Sequence, residues 1–336
     1  MGSPPMVTPK AKVSRVSLAA ASASAFALGL VAVPIAPAHA ADTITAADQP
    51  YFAYYHLDQA RAKGYTGQGV TIAMIDGPVE TSAPELSGAA IIDNSPCSIE
   101  KAPEATAHGT STAALLVARD YGVVPDATLH AYRTDAGDAT LGSDCIGSGG
   151  VNLAGYPSLI NHAINDGAHI ITLSLSSSDH SDALRWAIAR AVSQGVLITA
   201  SAGNEAQDSN DSHFGWWSGV VGVSAVDTNG ARASYSSWGQ GVTTAAVGGP
   251  ITIRQYPTNT LAQSVGTSSS APIVAGFLAM ARQKWPDATS NQLLQLLVHT
   301  TVNPDGGWNQ YTGYGVASPA TMMNTDPSQY PDVNPL

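Results

Sequence analysis

Four short runs in this 336-residue sequence carry side chains that could attack a carbonyl group. They contribute the carboxylate of Asp76, the imidazole of His108, the amide of Asn204 and the hydroxyl of Ser268. A serine activated by an imidazole, with a carboxylate behind the ring and an amide facing the developing oxyanion, can carry out acyl transfer. The four residue types therefore predict nucleophilic catalysis, provided that the fold brings them together.

The residues around each group indicate where that group lies in the fold. Asp76 ends an apolar, β-branched run that is typical of a buried parallel strand, and ligands gather at the carboxyl ends of such strands. His108 and Ser268 each open a small-residue pattern typical of a helix, so we expect both side chains at helix starts. Asn204 follows a further apolar run, after a glycine that permits a tight turn. The sequence thus predicts that all four groups lie at the ends of elements.

The pattern along the chain predicts one α/β domain. Apolar runs typical of strands alternate with amphipathic runs typical of helices, which favours a three-layer fold with a mainly parallel β-sheet flanked by helices on both faces. The expected strands lie at 70–75, 128–132, 169–175, 195–200 and 220–226. The expected helices lie at 51–63, 108–118, 157–165, 182–193, 268–284 and 290–299.

These runs and their surroundings resemble the subtilisin-like serine peptidases, the subtilase family. The further stretches that resemble this family are 64–70, 122–127, 222–227, 233–239 and 312–315. The likeness covers about residues 64–317 and therefore implies a subtilisin-like fold over most of the chain.

The resemblance implies a role for each of the four groups. Ser268 would be the nucleophile, and His108 would take its proton and return it to the leaving amine. Asp76 would orient the imidazole, while Asn204 and the main-chain N–H of Ser268 would stabilise the oxyanion. The implied reaction is hydrolysis of a polypeptide through an acyl-enzyme. Two alternatives stay open: a catalytically silent subtilase-like binding protein, and an esterase or peptide ligase on the same scaffold.

The resemblance also implies a region that binds an extended peptide. Its expected residues are Ser174, Leu175 and Ser176 on one strand, Gly149 on a facing glycine-rich strand at 147–150, and Gly203 beside the oxyanion amide. Ser176 stands where the family has glycine, so we expect that wall of the primary specificity pocket to be narrower or more polar.

Two departures from the family pattern bear on activity. Gly77 and Pro78 follow Asp76, where the family has Ser or Thr and then Gly, so a hydroxyl that could orient the carboxylate is missing. Ser269 and Ser270 replace Met and Ala directly after the expected nucleophile, which changes the packing behind it. These departures keep the catalytically silent alternative open.

Composition and charge bear on the expected partners. The net charge is −11, and an acidic surface argues against nucleic acid or an anionic membrane as a partner. Ligand spacings typical of zinc sites are missing from the sequence, and we interpret the run 179–182 as a solvated loop and helix cap rather than a metal site. We expect a monomer that requires no cofactor. Calcium could bind an acidic chain of this kind, although the sequence identifies no ligands for it.

The first forty residues are typical of a secretory signal. Lys10, Lys12 and Arg15 precede an apolar stretch, and the small residues at 38 and 40 give a cleavage site before Ala41. We expect a secreted, extracellular protein with a signal peptide at 1–40 and a single peptidase domain at 41–336, which ends in a polar tail at 321–336. A retained membrane anchor is the alternative. The interval 41–63 is too short for an inhibitory propeptide domain, so we expect folding without one.

Cys97 and Cys145 are the only cysteines of the chain. Because both lie in the part expected to be exported to an oxidising compartment, we expect them to form one disulfide. Two buried thiols are the alternative. A disulfide would tie together loops that flank the helix of His108 and the glycine-rich run.

Overall fold

A computed structural model describes residues 43–136, 139–208, 213–303 and 306–336. The helices in these ranges are α1 (Pro50–Tyr54), α2 (Leu57–Ala62), α3 (Pro103–Val117), α4 (Tyr156–Asn165), α5 (Asp182–Ser193), α6 (Thr267–Lys284), α7 (Ser290–His299) and α8 (Pro319–Met322). The strands are β1 (Thr71–Asp76), β2 (Ile91–Asp93), β3 (Ile99–Lys101), β4 (Thr128–Arg133), β5 (Ala139–Leu141), β6 (Ile170–Leu173), β7 (Leu197–Ser201), β8 (Val220–Val226), β9 (Val242–Val247), β10 (Ile251–Arg254) and β11 (Leu261–Ser264).

The central feature is a seven-stranded sheet in the order β2-β4-β1-β6-β7-β8-β9. Every neighbouring pair in this sheet is parallel. Two small antiparallel pairs, β3 with β5 and β10 with β11, lie outside it. Because the strands run the same way, their carboxyl ends meet at one edge of the sheet.

Alternate residues of β1 face two different layers of helices. Ile72 and Met74 are buried in the core that contains α3, α6 and α7. Ala73 and Ile75 are buried in the core that contains α4 and α5. Successive side chains of a strand point to opposite faces, so the sheet is covered on both sides. The predicted three-layer α/β fold is confirmed.

The predicted single helix at 51–63 is wrong, because the chain breaks into α1 and α2 at His56. His56 has a φ of 52°, in the left-handed region, directly before α2. Tyr51 and Leu57 flank this break and both are fully buried. Six residues of continuous helix would turn the two side chains to different faces, so the break allows both to enter the same core.

The amino-terminal region carries the expectations about export. The expected signal peptide and its cleavage site before Ala41 lie outside the described residues. In the ranges that are described, no helix combines the length and the apolar character needed to cross a bilayer.

The expected disulfide between Cys97 and Cys145 is confirmed. Their Cα atoms are 5.0 Å apart, and the two residues are separated by 48 positions in the sequence. Cys97 lies just before β3, and the helix α3 follows that strand. Cys145 lies just before the glycine-rich run 147–150, so the bridge joins the loops that were expected to be linked.

Removing this bridge should lower the stability of the folded chain. A disulfide that closes a loop of this length contributes about 4 kcal/mol by restricting the unfolded chain. We expect the double variant Cys97→Ser/Cys145→Ser to lose about that much in urea unfolding, and the reduced parent protein to lose a similar amount. Equal urea midpoints for the oxidised parent and the double variant would contradict this account.

Candidate active site

Asp76 forms the base of the candidate site at the carboxyl end of β1. Asp76 lies two positions after Met74 in β1, so both side chains point to the same face of the sheet, toward the layer of α3 and α6. Only 1% of Asp76 is exposed. Its Oδ1 accepts a hydrogen bond from the main-chain N–H of Gly77 at 2.6 Å and lies 2.7 Å from His108 Nδ1. Its Oδ2 is buried and has no hydrogen-bond partner among the described residues. The carboxylate is thus in direct contact with the imidazole, as the resemblance to the family implies.

His108 does not lie at a helix start, and that expectation is wrong. α3 begins at Pro103, so His108 lies in the second turn of a continuous helix. Proline suits the first helical position because it has no N–H to leave unpaired there. Glu104 in the first turn adds a charge that the amino-terminal dipole favours. The start signal is therefore present in the sequence, five residues before the histidine.

The helix α3 passes very close to the turn that follows Asp76. A Cβ added to Gly77 would lie 2.2 Å from the carbonyl oxygen of Ala105. A Cβ added to Gly109 would lie 2.5 Å from the carbonyl oxygens of Gly77 and Pro78. Two glycines therefore permit this approach, and the departure from Ser or Thr at position 77 has a steric reason. α3 leaves no room for that side chain.

The electrostatic environment of His108 is dominated by Asp76. The carboxylate of Asp76 raises the pKa of His108 above its ordinary value, although burial acts in the opposite direction. The positive charge of Lys101 also lowers it, to a smaller extent. The side chain of His108 remains 32% exposed, so its ring can be reached from the solvent.

Ser268 and Asn204 border one small space beside Gly266. Ser268 is the second residue of α6, which confirms its expected place at a helix start. A Cβ added to Gly266 would lie 2.9 Å from Ser268 Oγ and 3.3 Å from Asn204 Nδ2. The hydroxyl oxygen and the amide nitrogen therefore both lie within 3.3 Å of the same point, so one carbonyl group could reach both.

Thr267 fixes the amide of Asn204, a contact that the sequence analysis missed. Asn204 Oδ1 accepts hydrogen bonds from Thr267 N at 2.8 Å and from Thr267 Oγ1 at 3.0 Å. This engages the amide oxygen and leaves Nδ2 free to face the space beside Gly266. The position of Thr267, directly before the expected nucleophile, was the signal in the sequence that could have indicated this role.

Gly203 has a conformation that few other residues adopt. Its φ is +98°, and a Cβ there would lie 2.4 Å from Nε2 of the buried His213. Its main-chain N–H donates to Thr267 Oγ1 at 3.0 Å. Thr267 therefore binds both Gly203 and Asn204, and so joins the segment after β7 to the start of α6.

The two serines that follow Ser268 are buried. Ser269 is 4% exposed and Ser270 is fully buried. Ser270 Oγ donates to the carbonyl oxygen of Ala246 at 3.0 Å, which compensates the burial of its hydroxyl. The replacement of an alanine by Ser270 is therefore accommodated by a hydrogen bond to the neighbouring strand β9.

The expected peptide-binding strands differ from what is found. β6 ends at Leu173, so Ser174, Leu175 and Ser176 lie beyond the strand. Ser174 is buried, Leu175 is half-buried and Ser176 is exposed. Gly149, expected in a facing strand, instead lies in a 3₁₀ turn with a φ of +74°. Consecutive glycines permit such a tight turn, which explains why the expected strand is not formed.

The interpretation of the run 179–182 as a helix cap is confirmed. Ser181 Oγ accepts a hydrogen bond from Leu184 N at 3.2 Å, at the start of α5. Within the described ranges, no group of three or more His, Cys, Asp or Glu residues is arranged to hold a metal ion. Cofactor independence and calcium binding stay predictions.

Comparison with known proteins identifies the family. The sequence model of the subtilase family matches residues 67–315. The thermostable alkaline protease of Halalkalibacterium halodurans is 32% identical over 255 residues, which are 74% of this chain and 66% of that protein. Subtilisin DY of Bacillus licheniformis is 30% identical over 257 residues, 73% of this chain and 88% of its own.

A solved structure shares the fold. MycP1 from Mycobacterium smegmatis is 25% identical, with a TM-score of 0.70 over 87% of this chain and 88% of its own. The fold and the site therefore define a serine peptidase of the subtilisin type. This chain belongs to the subtilase family. Polypeptides are the substrates that this membership implies.

Restoring the family's serine after Asp76 should damage the site. In Gly77→Ser the new Cβ would meet the carbonyl oxygen of Ala105, so α3 must shift and carry His108 away from Asp76. We expect a loss of about 1–3 kcal/mol in stability, typical of overpacking, together with lower activity. Gly155→Ala is the control for the urea midpoint, because its nearest contact would be 3.4 Å. Unchanged urea midpoint and activity in Gly77→Ser would contradict the steric account.

Proposed function

We propose that this chain is a secreted endopeptidase that cleaves peptide bonds through Ser268, His108 and Asp76. The observation that carries the proposal is the 2.7 Å contact between Asp76 Oδ1 and His108 Nδ1 in a chain of the subtilase family. This contact holds the ring so that Nδ1 carries a proton and Nε2 is free to accept one. Ser268 supplies the hydroxyl at the start of α6.

We propose the following reaction for these residues. His108 removes the proton of Ser268 Oγ as this oxygen attacks the scissile carbonyl carbon. Asn204 Nδ2 and the main-chain N–H of Ser268 donate to the oxyanion, and Thr267 holds the amide in place for this. His108 then returns the proton to the leaving amine. Water, activated by the same imidazole, releases the acyl group from Ser268.

The export of the protein, its partners and its oligomeric state belong to the same proposal. The basic and apolar amino-terminal stretch and the disulfide between Cys97 and Cys145 support export to an oxidising compartment. The net charge of −11 supports a protein that does not bind nucleic acid. We propose that the exported chain acts as a monomer and without a cofactor.

A catalytically silent binding protein is the second candidate. It is favoured by one observation, the buried Asp76 Oδ2 that has no hydrogen-bond partner among the described residues. An ionised carboxylate that is only partly hydrogen-bonded orients an imidazole less firmly. Activity measurements separate this candidate from the peptidase.

A fluorophosphonate probe tests whether Ser268 is an activated nucleophile. We expect the parent protein to be labelled, and we expect Ser268→Ala and His108→Ala to lose the label, because the probe reacts only with a hydroxyl activated by a neighbouring base. Ser269→Ala is the matched control and should keep the label. A parent protein that folds but is neither labelled nor able to cleave a peptide library would support the silent candidate.

The pH dependence of kcat/KM tests the role of His108. Since only the neutral imidazole accepts a proton, activity should rise with pH through the pKa of His108. Asp76 raises this pKa above its ordinary value, so the rise should centre at a higher pH than for an unperturbed imidazole. In Asp76→Asn the raising charge is lost, and the remaining activity should rise at a lower pH. An inflection that does not move would count against the pairing of the two residues.

A further inference from the structure

A large cavity borders the segment expected to bind the peptide. It has a volume of about 720 Å³, and its lining includes Asp135, Asn152, Tyr156, Ser176 and Asp179. We call it the acidic cavity. This volume lies within the range typical of ligand pockets, which is about 300–1,000 Å³. Ser176 belongs to both the cavity wall and the expected peptide-binding segment, so a substrate side chain could enter from there.

The charge of the acidic cavity is negative. Asp135 accepts a hydrogen bond from the amide of Asn152, and Asp179 Oδ1 accepts one from Ser181 N at 2.8 Å. Neither carboxylate forms an ion pair with a residue in the described ranges. Among the described residues, the lining contains no Lys, Arg or His. A cation bound in this cavity would therefore be attracted by two carboxylates that lack a charged partner.

Two features near the cavity oppose a cation, and both are weaker. The first turns of α4 and α5 contribute Tyr156 and Ala183 to the lining, and the amino-terminal end of a helix carries about half a positive charge. That effect falls off within the first turn, and the carboxylate of Asp182 already lies at the start of α5. Lys101 binds the carbonyl oxygen of Ala136 and is not part of the lining.

The hydrogen-bonding groups of the cavity also favour a donor. Ser176 is exposed in the cavity wall, and its hydroxyl oxygen can accept a hydrogen bond, as can the carboxylate oxygens of Asp135 and Asp179. An ammonium group carries three donors and a guanidinium group five, whereas neither carries an acceptor. An apolar side chain would leave both carboxylates without new partners, and an acidic side chain would be repelled.

We propose that the acidic cavity binds a lysine or arginine side chain of the polypeptide substrate, an inference that rests on the proposed peptidase function. Asp135 and Asp179 provide the charge, and Asn152 and Ser176 provide oxygen acceptors. The cavity thereby determines which polypeptides are cleaved efficiently, since cleavage is favoured where a cationic residue lies at one fixed distance from the scissile bond.

Cleavage of a peptide library by the exported protein tests this proposal. We expect Lys and Arg to be enriched at one position relative to the cleaved bond. Between a peptide with lysine there and a matched peptide with norleucine, kcat/KM should differ by about 10- to 100-fold, the range given by a hydrogen bond to a charged group. Cleavage with no such enrichment would overturn the cavity proposal and leave the peptidase function standing.

Variants of the two carboxylates make the test specific. We expect Asp135→Asn/Asp179→Asn to lose most of the preference for the lysine peptide while it still cleaves the norleucine peptide, which shows that it is folded. Asp58→Asn/Asp287→Asn changes the net charge equally at exposed positions outside the cavity and should keep the preference. The single variant Asp179→Lys should prefer glutamate at the same position.

Two results would overturn the proposal. One is an unchanged preference for lysine in both cavity variants. The other is a parent protein that cleaves no peptide and is not labelled at Ser268, which would overturn the peptidase function as well.

Discussion

The contact between Asp76 and His108 depends on how closely α3 can approach the end of β1. That approach is set by main-chain atoms, because the carbonyl oxygens of Gly77 and Ala105 lie where side chains would otherwise stand. Thr110 strengthens it, since its hydroxyl accepts a hydrogen bond from Glu80 N at 2.9 Å. The carboxylate and the imidazole are therefore aligned by packing of the backbone, and this alignment takes the place of the hydroxyl that the family supplies after its aspartate.

Thr267 provides a similar constraint on the other half of the site. It is fully buried, and it binds Gly203 and Asn204 after β7 while it forms the first residue of α6. The amide of Asn204 and the hydroxyl of Ser268 are thus positioned by one side chain. A shift of α6 relative to β7 would displace both groups together, so their separation is maintained even if the layers adjust.

The sequence was sufficient to predict the elements whose pattern is local. The bounds of α5, α7 and β8 agree with the expectation, because amphipathic and β-branched runs determine them directly. The predicted start of α3 at His108 was wrong, because the helix begins at Pro103 and continues through the histidine. The contacts of Thr267 with Gly203 and Asn204 join residues more than sixty positions apart, so the place of Thr267 before Ser268 could indicate a role for it but not its partners. The contact between Asp76 and His108 was accessible only through resemblance to the family.

The two faces of β1 separate the catalytic groups from the acidic cavity. Met74 and Asp76 belong to the layer of α3 and α6, which carries His108 and Ser268, whereas the acidic cavity is built at the first turns of α4 and α5 in the opposite layer. Substitutions that alter the cavity need not disturb the packing that aligns the carboxylate and the imidazole. This architecture allows selectivity to diverge between relatives while the chemical apparatus is inherited unchanged.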